Sequence, residues 1–336
     1  MSASTITAPP GTQSAAEVIA AQRDLLFAMY RRHVGPGDSY ALLDFPDHAN
    51  VGDSAIWAGE VVILREITGR DPAYVCTVHN FDPADMAKRC PAGPIFLHGG
   101  GNLGDIWPAH QAFRERIIGE YRDRAVVQLP QSLHYRDESR AASFVAAVAG
   151  HDRFELWLRD APSMDFATAR LDCPVHLVPD SAFGLGAQPR WDADRRAIAL
   201  LRTDSEAAAI EANVLAAIDG VLVEDWLYET KGFQTLCRIA RKAERMTGMG
   251  RARLYQAVAM ERIRRGLRQL SRGEQVVTDR LHAHILSTLL GIPHIVLDNE
   301  YGKIANYMGS WTGGCVLARR AHDAHEAAAS LQEPRP

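Results

Sequence analysis

Short apolar runs alternate with longer amphipathic stretches along most of the chain. Ten runs are suited to buried strands, and they lie at 40–45, 74–78, 94–97, 125–129, 154–158, 175–178, 197–201, 220–223, 275–278 and 294–297. Between many of them, as at 54–67, 113–121 and 138–148, apolar residues recur at helical spacing. Strands that alternate with helices are typical of parallel, doubly wound sheets. We therefore predict an α/β fold with two Rossmann-like doubly wound domains.

The pattern also predicts where the domains begin and end. Residues 1–13 are rich in Ser, Thr, Pro and Gly, which indicates disorder, and a helical pattern follows at 16–30. A stretch with Gly and Pro at 184–191 separates the two strand sets. We place an N-terminal tail and helix at 1–34, one Rossmann-like domain at 35–187 and a second at 188–336. The second carries a basic helical insertion at 238–274 and a C-terminal tail.

Composition narrows the protein class. A chain of 336 residues can bury two cores without disulfides or a structural metal. With 37 Lys plus Arg against 41 Asp plus Glu, its net charge of -4 gives no overall attraction to nucleic acid. The five cysteines have no metal-ligand spacing, so we interpret them as reduced and structural. No apolar run of about 18 residues is present. We expect a cytoplasmic protein without a metal site.

Two motifs in the first half follow predicted strands and precede helices. Asp53, in NVGDSAI, either caps the next helix or acts on a sugar hydroxyl. The run HGGGNLGD contains Gly100, Gly101 and Asn102, and its amides at a helix N-terminus would favour a phosphate or carboxylate. A structural tight turn and a dinucleotide site are the alternatives. The following strand is predicted to end in PQS, which includes Ser132, rather than in the acidic residue of a dinucleotide site.

Two further motifs contain Arg and His at strand ends. Arg159 directly follows the run 154–158 and precedes Asp160, which is a suitable helix cap. Arg159 can therefore bind a carboxylate or phosphate, or make an ordinary ion pair. Arg280 and His282 lie in the first turn of a predicted helix after 275–278, where the helix dipole favours an anion. His284 is interpreted as structural, and a surface Arg with a structural His is the alternative for the other two.

Taken in order, these segments resemble the polysaccharide pyruvyl transferase family. They are NVGDSAI, HGGGNLGD, PQS, RDAPS, VPDSAF, TDRLHAHILSTLLGIPHIVLDN and YGK, and they run from about Tyr40 to Ile304. The resemblance implies a GT-B-like pair of domains and transfer of pyruvate from phosphoenolpyruvate to a sugar as a cyclic ketal. The sugar acceptor, free or lipid-linked, would belong to cell-surface or exopolysaccharide biosynthesis.

The resemblance also assigns expected roles. Arg280 and His282 match the RLH motif, Arg159 the RD motif and Asp53 the NxGD motif, while Gly100, Gly101 and Asn102 match the glycine loop and Lys303 the lysine after the last strand. We expect His282 to be the general acid, Asp53 the base and Arg280 a third catalytic residue. Arg159, the glycine loop, Ser132 and Lys303 would bind substrate. Arg280 and His282 are expected to act through charge and proton transfer rather than packing.

Two other function classes remain open. A GT-B-type nucleotide-sugar glycosyltransferase would use the same helix N-termini for a diphosphate. A non-enzymatic carbohydrate-binding or scaffold protein would leave Arg280 and His282 with a structural role only. A thermal-shift comparison of phosphoenolpyruvate with a nucleotide sugar distinguishes the two enzyme classes.

The segment 238–274 departs from the rest of the chain in charge. It holds eleven basic and three acidic residues, with apolar residues at helical spacing. Basic amphipathic helices of this kind form either a solvated face packed on the second domain or a surface for anionic lipid. The second alternative would place the protein at the inner face of the cell membrane.

Overall fold

Two parallel sheets joined by helices make up the protein, in a computed structural model that describes residues 11–203, 210–247, 250–298 and 302–332. The side chains of Arg245, Thr247 and Lys303 are outside that description. The predicted α/β class with two parallel sheets is confirmed.

The first sheet and its helices follow the N-terminal helix. The elements are α1 (Ala15–Tyr30), β1 (Ala41–Leu43), α2 (Val51–Thr68), β2 (Tyr74–Cys76), α3 (Pro83–Arg89), β3 (Ile95–Leu97), β4 (Gly100–Gly104), α4 (Pro108–Glu120), β5 (Val126–His134), α5 (Ala142–Ala149), β6 (Phe154–Leu158), α6 (Ala161–Thr168) and β7 (Val175–Leu177). Short 3-10 turns lie at Glu138–Ala141 and Ser181–Leu185.

The second sheet begins after residue 194. Its elements are β8 (Arg195–Leu200), α7 (Ala212–Ala216), β9 (Val221–Glu224), α8 (Lys231–Thr247), α9 (Arg251–Ser271), β10 (Gly273–Thr278), α10 (Leu281–Leu289), β11 (His294–Leu297), α11 (Lys303–Tyr307), β12 (Ala318–Ala321) and α12 (Ala324–Ser330). A π-helical turn at Met308–Thr312 continues α11.

The strand order places a ligand crevice on each sheet. The first sheet runs β2-β1-β3-β5-β6-β7, with β4 paired to β5, and the second runs β12-β11-β10-β8-β9. In the first sheet, β2 lies on one side of β1 and the later strands, from β3 on, lie on the other side. In the second sheet, β9 lies on one side of β8 and the later strands, from β10 on, lie on the other side. Ligands of open parallel sheets bind outside the carboxyl ends of the strands at such switch points. We therefore expect ligands to bind at the segments after β1, β3, β8 and β10.

Helix α2 lies between the two sheets and is buried on most of its surface. Asn50 caps it, since the Asn50 side chain accepts a hydrogen bond from the amide of Gly52. The alternative that Asp53 caps this helix is wrong, because Asp53 lies inside the first turn. Helix α9 packs against α2 so closely that a Cβ at Gly266 would collide with the side chain of Val51. One apolar core consequently includes residues from both sheets.

The glycine run differs from its prediction. It forms the strand β4 and not a helix N-terminus, since α4 begins only at Pro108. Strand β5 also continues past Ser132 to His134, so the expected end of that strand at PQS is wrong. The two differences share one cause, because β4 pairs with the part of β5 that begins at Gln131. Glycines have no apolar side chain to indicate a strand, so the pattern of apolar residues does not predict the pairing of β4 with β5.

The basic helices α8 and α9 form ion pairs with the first sheet unit. Arg241 and Arg262 approach Asp47, Arg251 approaches Asp85, and Arg253 approaches Asp71. Tyr255 of α9 stacks on Phe45 with ring centroids 4.2 Å apart. Much of the positive charge therefore faces acidic residues across the boundary between the sheets. Contact of this segment with anionic lipid stays a prediction, and no helix in the described ranges is long and apolar enough to cross a bilayer.

The described structure begins at residue 11, within the segment 1–13 that was predicted to be disordered. Residues 1–10 lie outside the described part, but Gln13 bridges to Cys315: the amide of Gln13 donates to the carbonyl of Gly314 at 2.8 Å. Ser14 and Glu17 then form a capping box that starts α1. The C-terminal residues 333–336 of the predicted tail are also outside the described part.

Candidate active site

Helices α2 and α10 meet at the switch points of the two sheets. Each begins just after a strand, α2 after β1 and α10 after β10. The imidazole of His282, in the first turn of α10, lies directly on Gly52, in the first turn of α2. A Cβ at Gly52 would collide with Nδ1, Cγ and Cβ of His282. A glycine at this position is therefore what allows the His282 ring to reach the first sheet.

Asp180 connects His282 to Arg159. Its carboxylate lies 3.4 Å from Nε2 of His282 and accepts a hydrogen bond of 2.5 Å from Nη1 of Arg159. Asp180 is completely buried, and burial opposes its ionisation. The His282 and Arg159 side chains outweigh that effect and hold the pKa of Asp180 well below its usual range. Asp180 is therefore an anion that fixes both side chains in place.

Arg159 keeps unused donors although it is buried. Its Nε donates to Oγ of Ser132 at 2.9 Å, and Ser132 in turn donates to Asp160 at 2.5 Å. Asp160 caps α6, as predicted, by accepting from the amide of Ser163. Within the described chain no hydrogen bond involves Nη2 of Arg159, which leaves its N–H groups available for an anion. The ion-pair and anion-binding interpretations of Arg159 are thus compatible, because Asp180 uses only one edge of the guanidinium.

Asp53 lies beside the glycine strand. Its carboxylate accepts a hydrogen bond of 2.8 Å from the side chain of Asn50, and Nε2 of His48 is 3.5 Å away. Burial raises the pKa of Asp53, but the neighbouring His48 and His282 outweigh burial and lower it overall. A Cβ at Gly100 would be 3.8 Å from Oδ1 of Asp53. Asp53 is thus an ionised carboxylate at the base of the crevice.

A bulge brings the predicted substrate-binding residues of β4 and β5 together. Gly100 pairs with Gln131 and Leu103 with Leu133, so Gly101 and Asn102 together oppose Ser132. Gly101 and Asn102 are partly exposed, whereas the rest of β4 is buried. Bulges next to active sites redirect backbone and side-chain groups out of the ladder. Here the bulge leaves Gly101 and Asn102 partly exposed opposite Ser132.

A buried polar network behind the strand fixes this bulge. Oδ1 of Asn102 accepts from Arg114 at 2.6 Å and from Gln131 at 2.9 Å, so that oxygen is committed to structure. His98 is 2.8 Å from Glu60, which also accepts from the amide of Gly99. Burial opposes the charged form of His98, but the Glu60 carboxylate outweighs it and raises the pKa of His98. The pKa of Glu60 is raised by burial.

Arg280 contacts the second sheet. Its Nε and Nη2 donate to the two carboxylate oxygens of Asp225, each at 2.8 Å, and its guanidinium is 5.9 Å from the centroid of the Trp226 ring. Asp225 directly follows β9. Arg280 is also the N-cap residue of α10, so this ion pair fixes the start of the helix that carries His282. A catalytic role for Arg280 stays a prediction.

The remaining predicted residues are structural or undescribed. His284 is buried, donates from Nδ1 to Nε2 of His294 at 2.7 Å, and accepts from Thr312 at Nε2. His294 donates its Nδ1 proton to the carbonyl of Ile292. The predicted structural role of His284 matches this chain of bonds. Lys303 begins α11, but its side chain lies outside the described residues. In the described ranges no three His, Cys, Asp or Glu side chains are arranged to hold a metal ion.

Sequence analysis missed Asp180 and Glu60, although each had a signal. Asp180 follows the strand run 175–178 within VPDSAF, where carboxyl-end residues face ligands. Glu60 lies on the apolar face of α2, between Ile56 and Ile63 at helical spacing. A charged residue on such a face is buried, and buried charges need partners. Neither partner, however, could be named from the pattern alone.

The crevice therefore combines three kinds of chemistry. It holds an imidazole supported by a carboxylate, a second carboxylate that is ionised, and an arginine edge with a bulged glycine strand. An imidazole and a carboxylate can transfer protons, while the arginine and the strand can bind an anion. A site of this composition fits an anionic substrate that undergoes proton transfer.

Comparison with known proteins gives one family. The family model for polysaccharide pyruvyl transferase matches residues 50–301. Pyruvyl transferase 1 of Schizosaccharomyces pombe is 32% identical over 331 residues, covering 92% of this chain and 78% of the relative. The protein called "Putative pyruvyl transferase EpsO" of Bacillus subtilis is 31% identical over 291 residues, covering 82% of this chain and 86% of the relative.

One solved structure supports the fold. A functionally uncharacterized protein from Klebsiella pneumoniae has a TM-score of 0.53 at 18% identity, covering 88% of this chain and 97% of that chain. At this level of identity the likeness concerns the fold alone.

Proposed function

The chain belongs to the polysaccharide pyruvyl transferase family, and from that premise we propose that it transfers pyruvate from phosphoenolpyruvate to two hydroxyls of a sugar as a cyclic ketal. The observation that carries the proposal is the contact between the two switch points, where His282, Asp180 and Arg159 lie in one hydrogen-bonded and ion-paired series. It supports the proposal because an imidazole, which can donate a proton, and an arginine with an Nη2 unused in the described chain contact the same carboxylate. The acceptor would be a free or lipid-linked glycan of cell-surface or exopolysaccharide biosynthesis.

Phosphoenolpyruvate carries a phosphate and a carboxylate, so its site needs two groups of donors. We assign one group to Nη2 of Arg159, which is unused among the described residues while Nη1 and Nε are held by Asp180 and Ser132. We assign the second group to the bulge at Gly101 and Asn102, which is partly exposed, although the Asn102 amide itself donates to Oε1 of Gln131. Lys303, which follows β11 in the chain, is also assigned to phosphoenolpyruvate. Phosphoenolpyruvate acts as a substrate in this scheme, and no resident cofactor is invoked.

The proposed reaction begins with a proton on the imidazole of His282. Transfer of that proton to the methylene carbon of phosphoenolpyruvate creates an oxocarbenium-like centre at the phosphate-bearing carbon. A sugar hydroxyl attacks this carbon, and Asp53 takes the hydroxyl proton. Asp180 stabilises the charged imidazole before transfer, and its own negative charge is maintained by Arg159.

The second half of the reaction removes phosphate. The C–O bond to the phosphate breaks with its electron pair on the phosphate oxygen, and a new oxocarbenium-like centre forms. A second hydroxyl of the same sugar attacks, gives its proton to the now neutral imidazole of His282 and closes the ketal, while the leaving phosphate takes the proton that Asp53 holds. The products are the pyruvylated sugar and inorganic phosphate, so one phosphate is released for each ketal formed.

Phosphate release from phosphoenolpyruvate in the presence of a panel of acceptor glycans tests the proposal. We expect release to depend on both substrates, and His282→Ala to lower the rate by about 10² to 10⁴ in a folded protein. Near-normal turnover by His282→Ala would contradict the assignment of the general acid. Stabilisation of the protein by a nucleotide sugar, but not by phosphoenolpyruvate, would instead support a glycosyltransferase. The finer description of the two sheets as GT-B-like is part of this proposal.

A further inference from the structure

Helix α8 has an apolar stripe that no described residue covers. Leu236, Ile239 and Met246 are 63%, 62% and 80% exposed, and the preceding Tyr228 is 72% exposed. Spacings of three and seven residues place the three helical side chains on one face. The opposite face, with Cys237 and Glu244, is buried against the protein. The stripe is therefore not needed for the packing of α8.

A row of positive charge flanks this stripe. Lys231, Arg238 and Lys242 are exposed and recur at spacings of seven and four, so they lie along one side of the apolar residues. In the described part of the chain none of the three has an acidic partner. This separates them from Arg241 and Arg262 of the same basic segment, which pair with Asp47. The outward face of α8 thus combines apolar side chains with uncompensated cations.

We propose that this face, defined by Leu236, Ile239, Met246, Lys231, Arg238 and Lys242, binds the surface of an anionic lipid bilayer. Helices that lie in the plane of a bilayer bury an apolar stripe among the acyl chains while flanking Lys and Arg contact lipid phosphates. A second protein surface would need acidic groups around an apolar groove. The charge row, which contains no acidic residue, matches an anionic surface better. The inference does not depend on the proposed catalytic function.

Vesicle sedimentation of the full chain tests the proposal. We expect the protein to sediment with phosphatidylcholine vesicles that contain phosphatidylglycerol, to remain in solution with phosphatidylcholine alone, and to dissociate as salt rises. The variant Lys231→Gln/Arg238→Gln/Lys242→Gln should bind roughly 100-fold more weakly, since each cation near a bilayer contributes roughly fivefold. Leu236→Gln/Ile239→Gln should lose binding while the apparent melting temperature is unchanged.

The matched control removes the same charge elsewhere. Arg70, Lys88 and Arg122 are exposed cations of the first sheet unit, and the triple change of these residues to Gln should leave binding unchanged. Equal loss in the control would mean that net charge alone drives binding and would overturn the proposal. Absence of binding to anionic vesicles at low salt would overturn it as well. A dimer that Leu236→Gln/Ile239→Gln dissociates would assign the stripe to a protein interface instead.

Discussion

Replacement of Gly52 by alanine tests whether the position of the His282 ring controls the reaction. The added methyl group would occupy space now held by Nδ1, Cγ and Cβ of His282. Asp180 lies at the other side of the ring, 3.4 Å from Nε2, so there is no room for the ring to move toward Asp180. The ring must therefore rotate or shift sideways, away from its contact with Asp180.

The expected sizes of the two effects differ. Overpacking costs about 1–3 kcal/mol, and the better helix propensity of alanine returns up to about 1 kcal/mol, so the net loss of stability is small. A misplacement of about 1 Å at a reacting group can lower the rate by about 10²-fold. We therefore expect Gly52→Ala to be folded, slightly less stable and about a hundredfold slower in phosphate release.

Stability measured by urea denaturation, together with kcat and KM for phosphoenolpyruvate, checks this expectation. The matched control is Gly119→Ala in α4, where a new Cβ meets nothing within 4 Å. The free energy of unfolding of Gly119→Ala should rise by up to about 1 kcal/mol, and the variant should keep full activity. In a His282→Ala background the contacts with Nδ1 and Cγ are gone and only the contact with Cβ remains, so Gly52→Ala should then cost less stability than in the wild type. A smaller cost in that background is specific to this contact. If Gly52→Ala retains wild-type kcat, the reasoning that ties catalysis to the ring position is wrong.

Other residues give three further expectations. Asp180→Asn should lower kcat by at least about 10²-fold and alter the pH–rate profile, whereas loss of a purely structural residue would leave the profile unchanged. An unchanged profile would refute the proposed action of Asp180 through His282. Arg280→Ala should cost about 3–5 kcal/mol in urea denaturation because the Asp225 carboxylate loses its cationic partner, whereas Arg280→Gln/Asp225→Asn should recover most of that; equal stability of Arg280→Ala and wild type would contradict it. Burial lowers the pKa of His284 well below its usual range and that of His294 to about 4. The neutral pair therefore stabilises the fold above pH about 6.5, the pKa of an unfolded His, and this stabilisation is lost as the pH falls below that value. Between pH 8 and pH 5 the free energy of unfolding of the wild type should fall by roughly 2 kcal/mol more than that of His294→Gln. Parallel curves of unfolding free energy against pH for the two proteins would exclude this cause.

The strands that the sequence predicted well are those buried on both faces. Phe154–Leu158 and His294–Leu297 match their predicted bounds because an apolar run with turn residues at each end has few other interpretations. Strand β12 was missed, since Ala318–Ala321 is a polar edge strand with two arginines. Strand β4 was missed because glycine carries no apolar signal. Both strands depend on pairing partners that local periodicity does not encode.

The candidate site was predicted as a set of residues but not as a set of contacts. His282, Arg159 and Ser132 were each singled out from their places after strands, and the structure brings them into one series through Asp180. The basic segment gives the opposite case. Its charge was evident, but the aspartates that neutralise part of it, Asp47 and Asp71 among them, lie far away in the sequence. Long-range ion pairs follow from topology, which charge counts do not contain.

The start of α10 explains how one helix serves both sheets. Arg280 is the N-cap residue with extended backbone, whereas His282 lies inside the first helical turn, so the two side chains leave the chain in different directions. Arg280 faces Asp225 beside its own sheet, while His282 faces Gly52 and Asp180 of the other. The first contact fixes the start of α10 and the second places its imidazole in the crevice of the first sheet. A change in the position of α10 relative to α2 would consequently move the proton donor away from Arg159, so tight packing between the sheets is a condition for the proposed reaction.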